Sequence, residues 1–223
     1  MAKYLNRIVT IIALNMRYPT KLTAITDDLS IYIPDYEQVR IIYEARLIEN
    51  SNEPFPFWAK LWPSSIALIQ FIKANTYWIK DKNILEIGAG LGLPSFMFAS
   101  IAKSILVSDY MPEAVELMEK NIQQLPFTNI QAMQLDWNHV PNSIQPEVVL
   151  LSDVNYNPTQ FENLLRLIKR FIIDDAVVVM ATPQRIMASP FVNALQDHVQ
   201  HTQVELVIEN EKQIEISILV LSK

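Results

Sequence analysis

Ile84-Leu-Glu-Ile-Gly-Ala-Gly-Leu-Gly-Leu-Pro94 is the stretch around which the rest of the sequence can be interpreted. It contains every glycine of this 223-residue chain, at positions 88, 90 and 92. At average usage, about 7% glycine, a chain of this length would carry roughly sixteen. Glycine lacks a Cβ atom, which permits positive φ angles, tight turns and close approach of a ligand to the main chain. The concentration of glycine in one place predicts that the chemistry is organised there.

The spacing of the glycines narrows the kind of ligand. A dinucleotide fingerprint requires glycine at the first, third and sixth positions of a strand-to-helix turn. Here the sixth position is Leu93, and the third glycine is Gly92. This spacing disfavours NAD and favours a nucleoside without a pyrophosphate. The alternative is a sharp turn that binds no ligand.

Short β-branched runs alternate with amphipathic stretches from residue 82 onward, which is typical of a parallel sheet with helices on both faces. The predicted strands are residues 83–88, 104–109, 130–135, 147–152, 176–182, 203–209 and 213–221. The predicted helices are residues 94–102, 112–124, 159–171 and 186–199. Because only three residues separate the last two strands, we expect a hairpin. The fold class is therefore α/β, with a doubly wound, mostly parallel seven-stranded sheet that has one antiparallel strand.

Residues 1–53 depart from this alternation and are predicted to form an N-terminal α/β extension. Its predicted elements are a helix at residues 2–15, strands at 21–26 and 29–33, and a helix at 36–47. Residues 54–223 are predicted to form the main domain, which includes a further helix ending near residue 74.

The composition excludes several classes of protein. The net charge is −6 and no Lys or Arg cluster stands out, so no nucleic-acid partner is expected. Cysteine is absent and the three histidines are scattered, so we expect neither disulfides nor a metal site. The apolar run at residues 8–14 is too short to span a bilayer and lacks a cleavage pattern after it. We expect a soluble, cytoplasmic protein with no membrane partner.

The strand after the glycine turn ends in Ser108-Asp109-Tyr110. A carboxylate at this point can accept hydrogen bonds from both hydroxyls of a ribose, and Tyr110 can pack on an adenine. With the glycine motif, these residues resemble the class I S-adenosylmethionine-dependent methyltransferases, from about residue 54 to the end. The resemblance implies that S-adenosyl-L-methionine is the cofactor and S-adenosyl-L-homocysteine the product.

The resemblance also implies which residues bind the cofactor. Glu86 would lie near its methionine end. The backbone of Gly88, Ala89 and Gly90 would lie against it, and Asp109 would bind the ribose.

Asp136-Trp137 follows the third predicted strand. In the family that the chain resembles, an acidic residue here usually meets the adenine amino group, and the next residue flanks the ring. The alternative is that Asp136 caps the short segment after it, while Trp137 fills the core.

The fourth predicted strand leads into Ser152-Asp153-Val154-Asn155-Tyr156. Asp-x-x-Tyr at this point resembles the motif of the seven-β-strand protein lysine methyltransferases, and it lacks the prolines of the Asn-Pro-Pro-Tyr pattern of amide and adenine N-methyltransferases. The resemblance implies that Asp153 and Tyr156 are catalytic: Asp153 orients the acceptor amine and helps accept its proton, and Tyr156 walls the channel. Ser152 would touch the cofactor and Asn155 the substrate. The alternative is that Asp153 caps the helix that begins near residue 159.

Trp58-Ala-Lys-Leu-Trp62-Pro63 resembles a subgroup that includes the lysine methyltransferase of the electron-transfer-flavoprotein β subunit. The resemblance implies that Trp62 closes over the cofactor and that Trp58 shapes the substrate entrance. Arg185, after the fifth strand, would touch the substrate or Asp153. The alternatives are two tryptophans that anchor the extension and a surface arginine.

These expectations combine into one predicted reaction, the direct transfer of a methyl group from S-adenosylmethionine to a nitrogen. The leading acceptor is a protein lysine. The alternatives are a small-molecule amine, of the nicotinamide type, and a non-catalytic module that only binds the cofactor. We expect a monomer that needs no metal.

Overall fold

A computed structural model describes residues 18–223. The chain divides into two compact units, Met1–Lys60 and Leu61–Lys223. The helix predicted at residues 2–15 lies outside the described residues. The domain boundary expected between residues 53 and 54 stays a prediction.

The described part of the first unit contains a two-stranded antiparallel sheet and one helix. Its elements are β1 (Thr20–Ala24), β2 (Ser30–Pro34) and α1 (Tyr36–Glu49). Asp35 caps α1, because its side chain accepts hydrogen bonds from the first-turn N–H groups of Glu37 and Gln38. A short 3₁₀ helix, Phe57–Ala59, follows.

The second unit is built on a seven-stranded sheet. Its strands are β3 (Asn83–Ile87), β4 (Ser104–Asp109), β5 (Ile130–Gln134), β6 (Val148–Ser152), β7 (Val177–Pro183), β8 (Val199–Glu209) and β9 (Lys212–Leu221). Their order across the sheet is β5-β4-β3-β6-β7-β9-β8. All neighbours pair in parallel except β9, which is antiparallel to both β7 and β8. This confirms the predicted fold class.

Helices connect the strands. They are α2 (Pro63–Ala74), α3 (Leu93–Phe98), α4 (Pro112–Ile122), α5 (Phe161–Ile173) and α6 (Ser189–Asn193). α5 shows why such segments fold as they do: Leu164, Ile168 and Phe171, spaced three and four apart, are buried in the core beside β6 and β7. Among the described residues, no helix has the length and apolar character needed to cross a membrane.

The helix predicted at residues 186–199 is wrong in extent. The structure has a 3₁₀ turn (Ile186–Ala188), the short helix α6 and a second 3₁₀ turn (Gln196–His198) before β8 begins at Val199. Pro190 lies in the first turn of α6, because proline has no N–H to continue a preceding helix and is tolerated only in a first turn.

The strand order places the site. From β3 the chain winds outward through β4 and β5, then returns to β6 on the other side of β3. Ligands of open α/β sheets bind at the carboxyl ends of the strands, at the point where the winding reverses. The loops after β3, β4 and β6 therefore form the candidate site.

Candidate functional site

The loop after β3 needs its glycines because of its backbone conformation and its packing against neighbouring side chains. Gly88, Gly90 and Gly92 have φ angles of 64°, 56° and 71°, a region that other residues rarely adopt. A Cβ on Gly88 would lie 3.2 Å from Val154 Cγ1. A Cβ on Gly92 would lie 3.1 Å from the Phe96 ring. The bare backbone at Gly88 thus lets the loop after β6 pack against the loop after β3.

Glu86 is a fully buried acid beneath the glycine loop. Its Oε2 accepts hydrogen bonds from the backbone N–H of Ser95 at 3.1 Å and from the Ser95 hydroxyl at 2.5 Å. Its Oε1 has no hydrogen-bond partner among the described residues. Burial raises the pKa of Glu86 to about 7, against the opposing effect of the Ser95 hydrogen bonds. An unpartnered buried carboxyl oxygen is uncommon and indicates a place where a polar group can bind.

Asp109, at the end of β4, joins two loops. Its Oδ2 accepts from the N–H of Gly90 at 2.8 Å, and its Oδ1 accepts from the N–H of Met111 at 2.9 Å. Burial raises the pKa of this carboxyl group, and the backbone hydrogen bonds oppose the rise. A carboxylate has about four acceptor directions, so the group can still accept a hydrogen bond from a ligand. Beside it, Tyr110 is exposed, with a ring free to cover a planar ligand.

Asp136 caps the segment after β5, as one of the two sequence interpretations expected. Its Oδ1 accepts from the N–H of Asn138 at 2.9 Å, and its Oδ2 lies 2.8 Å from Nδ1 of His139. Burial raises the pKa of Asp136, but these hydrogen bonds outweigh it and hold the pKa below its usual range. The Trp137 ring is half-buried beside the glycine loop, 3.6 Å from the position that a Cβ on Gly88 would take. Asp136 therefore caps, while Trp137 stands where it can flank a ligand.

Asp153, directly after β6, makes a two-pronged ion pair with Arg185. Nη1 of Arg185 contacts Oδ1, and Nη2 donates to Oδ2 at 3.1 Å. Asp153 has a φ of 57°, and its N–H donates to the carbonyl oxygen of Ala181 on β7. It does not cap the following helical segment, because the side chain of Asn157 performs that role for Thr159. Its carboxylate therefore pairs with Arg185 and does not serve as a helix cap.

Asn155 and Tyr156 complete this loop. Asn155 is fully buried, and its Oδ1 accepts from the Thr182 hydroxyl at 2.8 Å. Its Nδ2 has no acceptor within the part of the chain that the structure describes. Tyr156 is 41% exposed. Burial raises the pKa of Tyr156, and the charges of Asp109 and Asp153 raise it further.

The remaining predicted residues are Trp62, Ser152, Ala89 and Trp58. Trp62 precedes α2, is half-buried and accepts a hydrogen bond from the Ser65 hydroxyl at its carbonyl oxygen, at 2.7 Å. Ser152 is half-buried at the end of β6, and Ala89 is buried in the glycine loop. Trp58 belongs to the first unit, where its ring packs edge-on against Tyr18 at 5.5 Å between centroids. Its expected place at the substrate entrance stays a prediction.

Sequence reasoning missed Ser95 and Thr182, which hold Glu86 and Asn155 in place. Thr182 carried a usable signal, because it ends a predicted parallel strand. Ser95 carried none beyond its place in the turn after the glycines. Among the described residues, no group of three His, Asp or Glu side chains is arranged to hold a metal ion.

Comparisons with known proteins identify the family. A family model described as lysine methyltransferase matches residues 44–198. A histone-arginine methyltransferase of Homo sapiens is 29% identical over 111 residues, which cover 47% of this chain and 58% of that protein. A protein N-terminal and lysine N-methyltransferase of Schizosaccharomyces pombe is 31% identical over 131 residues, or 52% of this chain and 51% of that protein. The chain spans about half the length of these curated relatives.

Solved structures show the same fold. An N-methyltransferase, NodS, of Bradyrhizobium japonicum in complex with S-adenosyl-L-homocysteine superposes with a TM-score of 0.60 at 14% identity, covering 81% of this chain and 98% of that one. A putative RNA methyltransferase of Pyrococcus horikoshii gives a TM-score of 0.58 at 15% identity, covering 77% and 89%. The predicted resemblance is confirmed: the chain belongs to the lysine methyltransferase family.

Proposed function

We propose that this protein is an S-adenosylmethionine-dependent N-methyltransferase whose acceptor is the side chain of a protein lysine. The observation that carries the proposal is the packing of Val154 against Gly88. Through this contact, the loop that carries Asp153 and Tyr156 lies directly beside the glycine loop, as a transfer between neighbouring donor and acceptor sites requires.

The residues at this edge fit the donor. Glu86 offers an unpartnered oxygen, and Asp109 keeps free acceptor directions beside the glycine backbone. Two acids suit a ligand with ribose hydroxyls and positive charge. When bound, S-adenosylmethionine supplies an electrophilic methyl group: an amine nitrogen forms the N–CH₃ bond while the S–CH₃ bond breaks and its electron pair stays on sulfur.

The acceptor lysine must lose a proton before its nitrogen can attack the methyl group. A lysine with a pKa of about 10.4 is neutral only about once in a thousand at pH 7.4, and only the neutral amine has a lone pair to react. Both oxygens of Asp153 already accept from Arg185, and each keeps one more lone-pair direction. Asp153 therefore orients the amine, whose proton passes to solvent. The half-exposed ring of Tyr156 can wall the approach and favour a cationic product.

An arginine acceptor is the second candidate. Asp153 already receives the guanidinium of Arg185 in a two-pronged arrangement, so its carboxylate has the geometry that such a group requires. One of the relatives is named as a histone-arginine methyltransferase. We further propose that the protein acts as a monomer in the cytoplasm. Its net charge of −6 argues against a nucleic-acid partner.

The test combines donor binding with acceptor identification. The purified protein is incubated with methyl-labelled S-adenosylmethionine and a cell extract, and the labelled protein is hydrolysed to amino acids. Methyl-lysine in a protein band supports the proposal, and methyl-arginine supports the second candidate. Label confined to small molecules would instead establish a small-amine acceptor. Donor binding without transfer would establish a non-catalytic module. The matched control is Asp153→Asn, which keeps the side-chain size and should bind the donor normally.

A further inference from the structure

We propose that Arg185 is a positioning residue that cancels part of the charge of Asp153, so that an acceptor amine meets a hydrogen-bond acceptor with reduced negative charge. This inference rests on the proposed function, because it concerns an amine that must lose its proton before transfer.

The ion pair between Asp153 and Arg185 is bidentate, and the backbone of Arg185 is held in place. Both nitrogens of the guanidinium fork reach both oxygens of Asp153. The backbone of Arg185 is also held, because its N–H donates to the carbonyl oxygen of Pro183 at 2.8 Å and its carbonyl oxygen accepts from Ala188 at 2.9 Å. The side chain of Asp153 is 8% exposed and that of Arg185 is 31% exposed. Arginine suits this partly buried contact because its planar guanidinium can bond both oxygens of a carboxylate at once, whereas the lysine ammonium is a single point charge.

The electrostatic consequence follows from the chemistry of the acceptor. An opposite charge within about 4–6 Å favours the charged form of a group, typically by about 1–3 pKa units. An unpaired Asp153 would therefore stabilise the ammonium form and reduce the reactive fraction about tenfold for each unit. A guanidinium already bonded to that carboxylate reduces this attraction, while a lone pair remains to orient the amine.

The other titratable groups near Asp153 cannot supply the positive charge that offsets its carboxylate. Tyr156, on the same loop as Asp153, feels the charges of Asp153 and of Asp109, which comes from the end of β4. Glu86 lies buried below, beneath the glycine loop. These groups are acids or a phenol. Arg185, from the loop after β7, supplies the positive charge that meets Asp153.

A first experiment needs no acceptor, because Tyr156 reports on the charge of Asp153. The pKa of Tyr156 is followed by carbon NMR in protein with labelled tyrosine, and its signal is assigned from Tyr156→Phe. Arg185→Met should raise the pKa of Tyr156 further, since the charge of Asp153, which already raises it in the wild type, is no longer partly cancelled. The double variant Arg185→Met with Asp153→Asn should bring it back to or below the wild-type value. An unchanged pKa of Tyr156 in Arg185→Met would overturn the charge cancellation.

A second experiment uses the pH dependence of transfer to the amine that the wild type labels. At pH 7.5, Arg185→Met should lose roughly tenfold or more in kcat/KM and recover as the pH rises by one to three units. Adding Asp153→Asn should remove this shift of the profile, and Arg185→Lys should give a smaller shift. An equal loss at every pH would show a structural role and overturn the inference. If the wild type labels no amine, the proposed function fails, whereas the Tyr156 titration still decides the charge cancellation.

Discussion

Replacing Glu86 by glutamine isolates the pH dependence that a buried acid gives to the fold. Glu86 is fully buried in β3, and within residues 18–223 its side chain is hydrogen-bonded only through Oε2, to Ser95. Glutamine has the same shape and cannot ionise. The difference in free energy of unfolding between wild type and Glu86→Gln therefore contains the titration of this group, while the titrations of other groups largely cancel.

The magnitude follows from the raised pKa. The folded pKa of Glu86 is about 7 and its ordinary value is 4.5, so the folded state holds the proton more tightly than the unfolded state. The resulting stabilisation is fully present below pH 4.5 and is lost as the pH rises through about 7. At about 1.4 kcal/mol per pKa unit, the free energy of unfolding contributed by this group should fall by about 3 kcal/mol across that window.

The assay is urea unfolding of both proteins at intervals from pH 4.5 to pH 8. The wild type should lose stability relative to Glu86→Gln as the pH rises, with most of the loss between pH 5 and pH 7. A difference that stays flat across this range would refute the reasoning, because it would mean that Glu86 does not change its proton affinity on folding. A difference that grows in the opposite direction would show an ionised, stabilised carboxylate instead.

Three further predictions concern the loops of the site. Gly88→Ala should lower the free energy of unfolding by at least about 1–2 kcal/mol, because φ is 64° and the new methyl group would meet Val154. Thermal unfolding measures this loss, and adding Val154→Ala should restore part of the lost stability. Asp109→Ala should abolish binding of S-adenosyl-L-homocysteine in calorimetry, and near-normal affinity would contradict the ribose assignment. Thr182→Val should lower stability by about 1–3 kcal/mol, because it leaves the buried Oδ1 of Asn155 without its donor; unchanged urea unfolding would contradict this.

The central strands of the sheet could be predicted because they are buried on both faces. β3, β4 and β6 appear in the sequence as short, mostly apolar runs, and tertiary contacts did not override them. The same alternation located the carboxyl ends of the strands, and with them Asp109 and Asp153. The segment after Arg185 was less predictable, because its apolar spacing suggested one helix while Pro190 divides it.

Most side-chain pairings could not be predicted from the residues themselves; the family resemblance offered Asp153 as one of two contacts for Arg185, and the structure shows that contact. Asp153 and Arg185 lie 32 positions apart and meet only because β6 and β7 are neighbours in the folded sheet. The contact between Val154 and the position of a Cβ on Gly88 likewise depends on how two loops pack. The sequence offered a ligand or a sharp turn as the reason for the glycines, and the structure shows that packing beside Val154 also requires Gly88.

The central claim is that methyl groups go to an amine oriented by Asp153. The most direct measurement is amino-acid analysis of protein labelled by the wild type and by Asp153→Asn, with donor affinity measured in parallel. The account predicts methyl-lysine with the wild type and at least a tenfold loss with Asp153→Asn at equal donor affinity. Equal labelling by both proteins would contradict it.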